Sequence, residues 1–493
     1  MEQRIHVQCF NKESTHGVTL IASADYLEGK TIDLAVKAMI DKAEARSKIL
    51  ALRSRVQDDF CCGILLFNCT NALTVIKTMS RIRIKNFGPV KDGFCDDDGW
   101  IDVRKVTVFI GEQGSGKSTV AKLISTFAWI EKALVRGDYS IRWFERKNRF
   151  RKQFLRYHRL ENYLPDEKDD VVIEYRGDVY AMRYENECLV INEISDGSYR
   201  LPQIMYVPAE RNFISYVKEA KELKLSSDSL KEFLVEFEHA IKELKGFVEL
   251  PVLNAGIEYD RLNDMLNLKG EGYKIRLTEA SSGYQSLVPL YLVSKYLSAS
   301  VQKQSENNKE PMSSEELRRF RKGVEEIIGN EDLTDEQRRA ALSVLSSRFN
   351  KTSFVNIVEE PEQNLYPFSQ WRMLQSLLEF NNLNSDNQLI MTTHSPYVIN
   401  YLSIVIQGYE LRRKIEKSDK AGFLREKLNK VVSEKSLVSS NSVAIYELDA
   451  KGMIRRLPDF EGIPSDNNVL NEMLKEGNQI FDALLEIEEE LSL

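Results

Sequence analysis

This chain has no run of about 18 or more apolar residues, so nothing in it reads as a membrane-spanning helix and no membrane partner is expected. Its first ten residues, Met1–Phe10, lack the basic-then-apolar order of a secretory signal. Cysteine is scarce, six in 493 residues, and no Cys-x-x-Cys spacing occurs; Cys61 and Cys62 are adjacent rather than set apart for a metal. That excludes a disulfide scaffold and makes a reduced, cytoplasmic protein the expectation. Internal repeats and low-complexity tracts are also missing. What is there is an ordinary globular composition, 42% hydrophobic and 29% charged, in a chain long enough for two or three structural units.

The charge is unevenly placed. Between Lys132 and Arg159 ten Lys/Arg meet two acids, a local +8; since the whole chain is −7, the remainder carries −15. A split of that kind points to partners rather than to a fold.

Residues 1–78 form an N-terminal extension with four of the six cysteines, a helix predicted over Asp33–Leu52 and a β-rich end. They are either a small added domain or a stretch ahead of a start at Met79, and no motif in them carries chemistry. From Met79 the pattern becomes α/β. Arg81–Phe87 alternates like a strand, Trp100–Gly111 reads as a second strand, and a helix follows over about Lys117–Leu134. The expected division is 79–130 for the first part of a head, 131–275 for an inserted β-hairpin and helical lobe, and 276–493 for the second part. The lobe's hairpin is Val171–Tyr175 with Val179–Tyr184, followed by a strand at Ile204–Val207 and a helix over about 216–245. The second part carries a polar helical insertion at 301–350, with capping boxes at Ser313/Glu316 and Thr334/Gln337. Further strands are expected at Phe354–Val358, Gln388–Thr392 and Ser442–Leu448, then two closing helices.

Gly111-Glu-Gln-Gly114-Ser115-Gly116-Lys117-Ser118 fits G-x-x-x-x-G-K-[ST] between an apolar strand and a helix. Its glycines let backbone N–H groups face the phosphates of ATP, Lys117 adds a mobile charge, and Ser118 offers its hydroxyl to Mg2+. A second, acidic site is needed, and the strand running into Glu359-Glu360 supplies it: Glu359 to hold Mg2+ through water, Glu360 to polarise the attacking water. His394, after the apolar run Gln388–Thr392, is placed to hydrogen-bond the γ-phosphate and tie it to the Glu360 water. Ser281-Ser282-Gly283-Tyr284-Gln285 opens an amphipathic helix and forms an anion site at its N-terminus. One chain already holds the phosphates in its P-loop, so this second site makes sense as a cap on the nucleotide of another protomer.

The order of these four elements resembles the head of ABC-type ATPases, most closely the AAA15/OLD-like branch. Asn86–Val90 (NFGPV), Gly111–Thr119 (GEQGSGKST), Val207–Arg211 (VPAER), Glu359–Pro367 (EEPEQNLYP) and Thr393–Tyr397 (THSPY) all read in that branch's style. The resemblance covers about 79–480. It implies that Gly111, Gly114, Ser115, Gly116, Lys117, Ser118 and Thr119 bind phosphate and Mg2+. It also implies Glu360 as catalytic base, His394 as γ-phosphate sensor, and Ser282, Gly283 and Gln285 as the cap in trans. Residues 361–367 fall where the family has its D-loop, across a head-to-tail dimer interface. Glu359 stands where most ABC heads have Asp, and Tyr284 where the second signature glycine lies; both are markers of the branch. Gln203 and Arg211 compete for the Q-loop position, with Arg211 preferred.

The 99 residues after His394 contain no Asp-x-Asp pair, so no two-metal nuclease site is read in this chain. Asp96-Asp97-Asp98 sits in a predicted turn. Ser118 and Glu279 stand 161 positions apart, and the stretch between them is broken by hairpin and loop patterns, unlike the coiled coil of a Rad50- or SMC-type ATPase. Closest in style are the PtuA-like ATPase subunits of Septu or retron-associated anti-phage systems, which implies a separate HNH-type nuclease as partner. A RecF-like ATPase that binds DNA directly is the alternative. Over 142–159 eight Lys/Arg interleave with Trp143, Phe144, Phe150, Phe154 and Tyr157. That mixture suits nucleic acid, a protein partner, or a solvated basic helix whose aromatics enter the core.

Overall fold

The computed structural model describes residues 4–10, 17–23, 79–165, 171–194, 199–216, 227–252, 254–307, 314–329, 345 and 351–491. The helix expected over Asp33–Leu52 and both predicted capping boxes lie wholly or partly outside these residues. Two compact units separate at residues 77 and 78. In the first, Arg4–Phe10 and Gly17–Ser23 pair as an antiparallel hairpin, Phe10 opposite Gly17.

The second unit is α/β with mixed sheets. Its central sheet runs Pro202–Val207, Ser353–Glu359, Gln388–Thr393, Val106–Gly111, Val443–Leu448, Met453–Arg456, Gly93–Phe94. The first five strands are parallel, and Met453–Arg456 turns back antiparallel. Each of the five is rich in apolar residues and buried along almost all of its length because it is covered on both faces, and its few polar side chains, Thr107 and Asn356 among them, are buried with it. Along the P-loop strand Val106, Val108 and Ile110 enter one core while Phe109 enters the other. Val358 and Val355, Met391 and Ile390, and Ile445 and Tyr446 alternate in the same way.

The second core lies between the P-loop helix, Lys117–Val135, and a five-stranded antiparallel sheet. That sheet is ordered Trp100–Asp102, Arg81–Lys85, Val172–Arg176, Tyr180–Glu185, Cys188–Glu193. Two expectations change here. The run Trp100–Gly111 is not one strand: Val103–Lys105 carries the chain from the antiparallel sheet into the central one, where Thr107 Oγ1 accepts from the Arg104 N–H at 2.9 Å. The hairpin expected at 171–184 gains a third strand through a turn at Asn186 and Glu187, both at positive φ. Residues 131–275 also supply Pro202–Val207 to the central sheet, so that stretch is woven into the head rather than standing apart.

After Val443–Leu448 come Met453–Arg456, a short hairpin and one helix, Val469–Leu491, in place of two closing helices. Among the described residues no helix is long and apolar enough to cross a membrane.

The aromatic residues of the basic stretch turn inward. Phe150 is 0% exposed and stacks on Phe127 at 5.5 Å, with Tyr175 on Phe127's other side at 5.3 Å. Truncating Phe127 to Ala should cost about 3–5 kcal/mol, read from the urea midpoint at unchanged slope. The loss should be larger than for Trp129→Ala on the same helix, since Trp129 is an exposed residue.

Candidate nucleotide-binding and hydrolysis site

Parallel strands buried on both faces leave polar chemistry to their carboxyl ends, and there the predicted site residues meet. Register sets Thr393 beside Ile110 and Glu359 beside Thr392, so Gly111, Glu359-Glu360 and His394 share one edge.

The loop backbone takes the form the motif demands. Gly111, Gly114 and Gly116 have φ of +147°, +82° and +106°. A Cβ on Gly111 would lie 2.2 Å from the Leu448 carbonyl oxygen, and one on Gly116 2.9 Å from Val90 Cγ2; around Gly114 the space is open. Lys117 is buried and donates to the carbonyls of Gly111 at 2.9 Å and Glu112 at 2.7 Å. Burial lowers its pKa to about 8, against the pull of Glu360, Glu362 and Glu112. Ser115 Oγ is buried without a hydrogen-bond partner, beside Gly111. Thr119 is buried and Ser118 half-buried in the first helical turn. Open space over Gly114, an orphaned hydroxyl and a lysine against two carbonyls fit a triphosphate cradle.

Glu359 is 5% exposed. Its carboxylate accepts from Tyr206 Oη at 2.5 Å and from the Ala209 N–H at 3.0 Å, with Lys122 Nζ 3.8 Å away. Lone pairs remaining on Oε2 suit a water-bridged contact to Mg2+ better than direct ligation. Among the described residues no group of three or more His, Cys, Asp or Glu could hold a metal ion alone. Mg2+ held by Ser118 and nucleotide phosphates, with Glu359 behind a water, fits that donor set.

Glu360 has left-handed backbone, φ +44°. Its N–H donates to the Thr392 carbonyl at 2.9 Å, and its carboxylate lies 3.7 Å from His394 Nε2. That gap is too long for a hydrogen bond but lets one oxygen atom bridge both groups. Burial, then the Glu359 charge, raises the Glu360 pKa; burial, then Lys117, lowers that of His394. The His394 N–H donates to Glu362 Oε1 at 2.7 Å, a contact sequence reading missed although the acid stands two residues past Glu360.

Gln203 lies inside its strand, away from this edge, whereas Arg211 is at the site and 1% exposed. Its guanidinium donates to the carbonyls of Glu359 at 2.7 Å, Glu360 at 2.5 Å, Pro208 at 3.3 Å and Ser286 at 3.2 Å.

Ser282 is exposed at the start of the helix Ser282–Asn307. Gly283 packs against the Asn364 carbonyl so closely that a Cβ would lie 2.8 Å from it. Gln285 sits differently from expectation: it is 3% exposed and its amide donates to Thr278 and Ala280 carbonyls at 3.1 and 3.0 Å, which shapes the turn and leaves it out of reach as a cap. Beside Gly111–Gln113 and His394, a cleft of about 520 Å³ is closed by Val469, Leu470 and Met473 of the last helix.

Residues 337–399, which hold Glu359, Glu360 and His394, match the model of the AAA ATPase domain family AAA_15. No curated protein matches the chain. The fold is the α/β P-loop kind. Among solved structures, an Smc head domain with an extended coiled coil from Pyrococcus furiosus is similar at 11% identity and TM-score 0.30, over 82% of this chain and 100% of that one. An SMC head domain from Thermotoga maritima gives 13% and 0.27 over 66% and 91%, and a dimeric bacterial ABC transporter cassette 11% and 0.22 over 77% and 100%.

Lys117→Ala should abolish ATP binding in a fluorescent-nucleotide titration. In the wild-type chain the lysine is charged below about pH 8 and neutral above it. Affinity should therefore hold below that pH and weaken as pH rises through it, approaching about tenfold per unit.

Proposed function

We propose that the chain binds and hydrolyses ATP with Mg2+ in composite sites formed by two copies set head to tail. The observation that carries this is the exposed helix start at Ser282-Gly283, packed against the D-loop carbonyl of Asn364. An N-terminal helix end with no phosphate of its own is completed by the nucleotide of a second copy. Exposed Tyr366, Phe368 and Tyr397, at 76%, 55% and 44%, sit in sequence around the D-loop and His394, and a face of that composition suits a protein interface.

In this reading the P-loop amides and Lys117 hold the phosphates, Glu360 takes a proton from the attacking water, and His394 fixes the γ-phosphate end. Mg2+ supplies charge neutralisation on the phosphate oxygens. Closure of two heads on ATP and their parting after hydrolysis regulates a separate effector nuclease in anti-phage defence, a step supported by the motif strings NFGPV, VPAER, EEPEQNLYP and THSPY. Direct DNA binding finds less support, because Phe144 and Phe150 are core residues rather than a stacking platform. The exposed Arg142, Arg146, Lys147, Lys152 and Arg156 retain only the electrostatic part of that case.

Glu360→Gln should lower turnover by about 10²–10⁴-fold and hold an ATP-dependent dimer together in light scattering. Unchanged turnover with unchanged association would remove Glu360 from the mechanism. Co-purification of a small nuclease encoded beside the gene, kept through gel filtration, tests the effector step; salt-sensitive duplex binding lost on changing Arg146 and Lys147 to Glu would instead favour the RecF-like alternative.

A further inference from the structure

We propose that Arg211 is a positioning residue which makes the placement of Glu360 depend on the signature turn. The proposal rests on the composite-site reading above.

A fully buried guanidinium is costly, and here it is not offset by a bonded carboxylate. Every hydrogen bond it makes is to a backbone carbonyl. Burial pulls its pKa down to about 10, opposed only through space by Glu362, Glu360 and Glu359. Its fixed fork reaches what a lysine's point charge cannot: Nη1 holds Glu359, Nη2 holds Glu360, and Nε holds Ser286 near the start of the signature helix.

Both ends of that bridge are held by further hydrogen bonds. Glu360 is a non-glycine residue at φ +44°, a region disfavoured for L side chains, held by Arg211 on its carbonyl and by Thr392 on its N–H. At the other end, the short helix that carries Arg211, Ala209–Tyr216, grips the signature turn twice more. Ser215 Oγ donates to the Gln285 carbonyl at 3.0 Å, and Tyr216 Oη to Gln285 Oε1 at 3.0 Å. From the D-loop side, Asn364 Nδ2 donates to Ser286 Oγ at 3.1 Å. Ser286 is thus held by Arg211 and by the D-loop at once, two residues behind Tyr284 and three behind Gly283.

A nucleotide seated on Ser282-Gly283 from a second copy acts on the first turn of this helix. That displacement reaches Glu360 through Ser286, Arg211 and the Glu360 carbonyl, without any contact between the two nucleotide sites. The link resets a backbone conformation, so its effect falls on the chemical step and not on ATP binding.

The test uses the full-length chain. Arg211→Lys keeps the charge and loses the fork. It should bind ATP as wild type does, and with Glu360→Gln it should still associate on ATP. Its kcat should drop about 10²-fold with little change in KM, the scale expected for an ångström of misplacement. Tyr216→Phe removes one grip on Gln285 at an exposed side chain and should lower kcat several-fold, with non-additive loss when combined with Arg211→Lys. Wild-type kcat in Arg211→Lys, or a rise in KM alone, overturns the link. If Arg211→Lys does not fold, Tyr216→Phe decides, and unchanged kcat in it overturns the link too. A wild-type chain with neither ATP-dependent association nor turnover overturns the composite site itself, and with it this role for Arg211.

Discussion

Burial of five parallel strands on both faces is the constraint from which the rest of this molecule follows. Apolar side chains of Val106–Ile110, Phe354–Val358 and Leu389–Met391 are spent on two cores, and the polar ones among them, Thr107 and Asn356, are buried as well. Polar chemistry is pushed to the carboxyl edge, where each strand runs out into a loop. Those loops bring buried backbone carbonyls with them, and a buried carbonyl needs a donor. Lys117 and Arg211 meet that need at Gly111, Glu112, Glu359 and Glu360. Cations at this edge therefore serve the backbone as well as the chemistry, and a site that looks like a cluster of catalytic side chains is equally a set of loop clamps.

The parts legible in the sequence were those with a period or a fixed spacing. An apolar run, a glycine pattern and a helix fixed the P-loop, and two further apolar runs ending in Glu359-Glu360 and in Thr393-His394 fixed its neighbours. Contacts between distant strands left no such mark. Tyr206 and Ala209 on Glu359, and Glu362 on the His394 amide, depend on which strands are neighbours, and that order is not written locally. Gln285 misled because a polar residue in a signature string reads as a ligand contact, whereas its amide is consumed by the turn it sits in. The split of Trp100–Gly111 was invisible for a similar reason: one run of suitable residues serves two sheets.

Charge and aromaticity over 142–159 separate in space although they alternate in sequence. Phe144, Phe150 and Leu155 are core residues, while Arg142, Arg146, Lys147, Lys152 and Arg156 are exposed. Several of the stretch's cations are committed within the chain: Arg149 lies 3.9 Å over the Trp143 ring, Arg159 pairs with Glu210 at 2.7 Å, and the exposed Lys147 pairs with Glu187 at 3.1 Å. The +8 of that interval overstates what a partner would meet.

The close approach of Gly111 to the Leu448 carbonyl has a consequence for how the molecule is made. The P-loop strand pairs with Val443–Leu448, whose residues leave the ribosome more than three hundred positions later. At about 5–20 residues per second, the loop's own strand waits roughly 20–60 s for the neighbour that walls it in. Until then the hydrophobic strand Val106–Ile110 has an open edge, and pairing over so long a separation is slow. Nucleotide cannot rescue an early intermediate, because the cradle is not closed before Val443–Leu448 has been made. The nascent chain's dependence on chaperones should therefore span the interval from the emergence of Val106–Gly111 to that of Val443–Leu448.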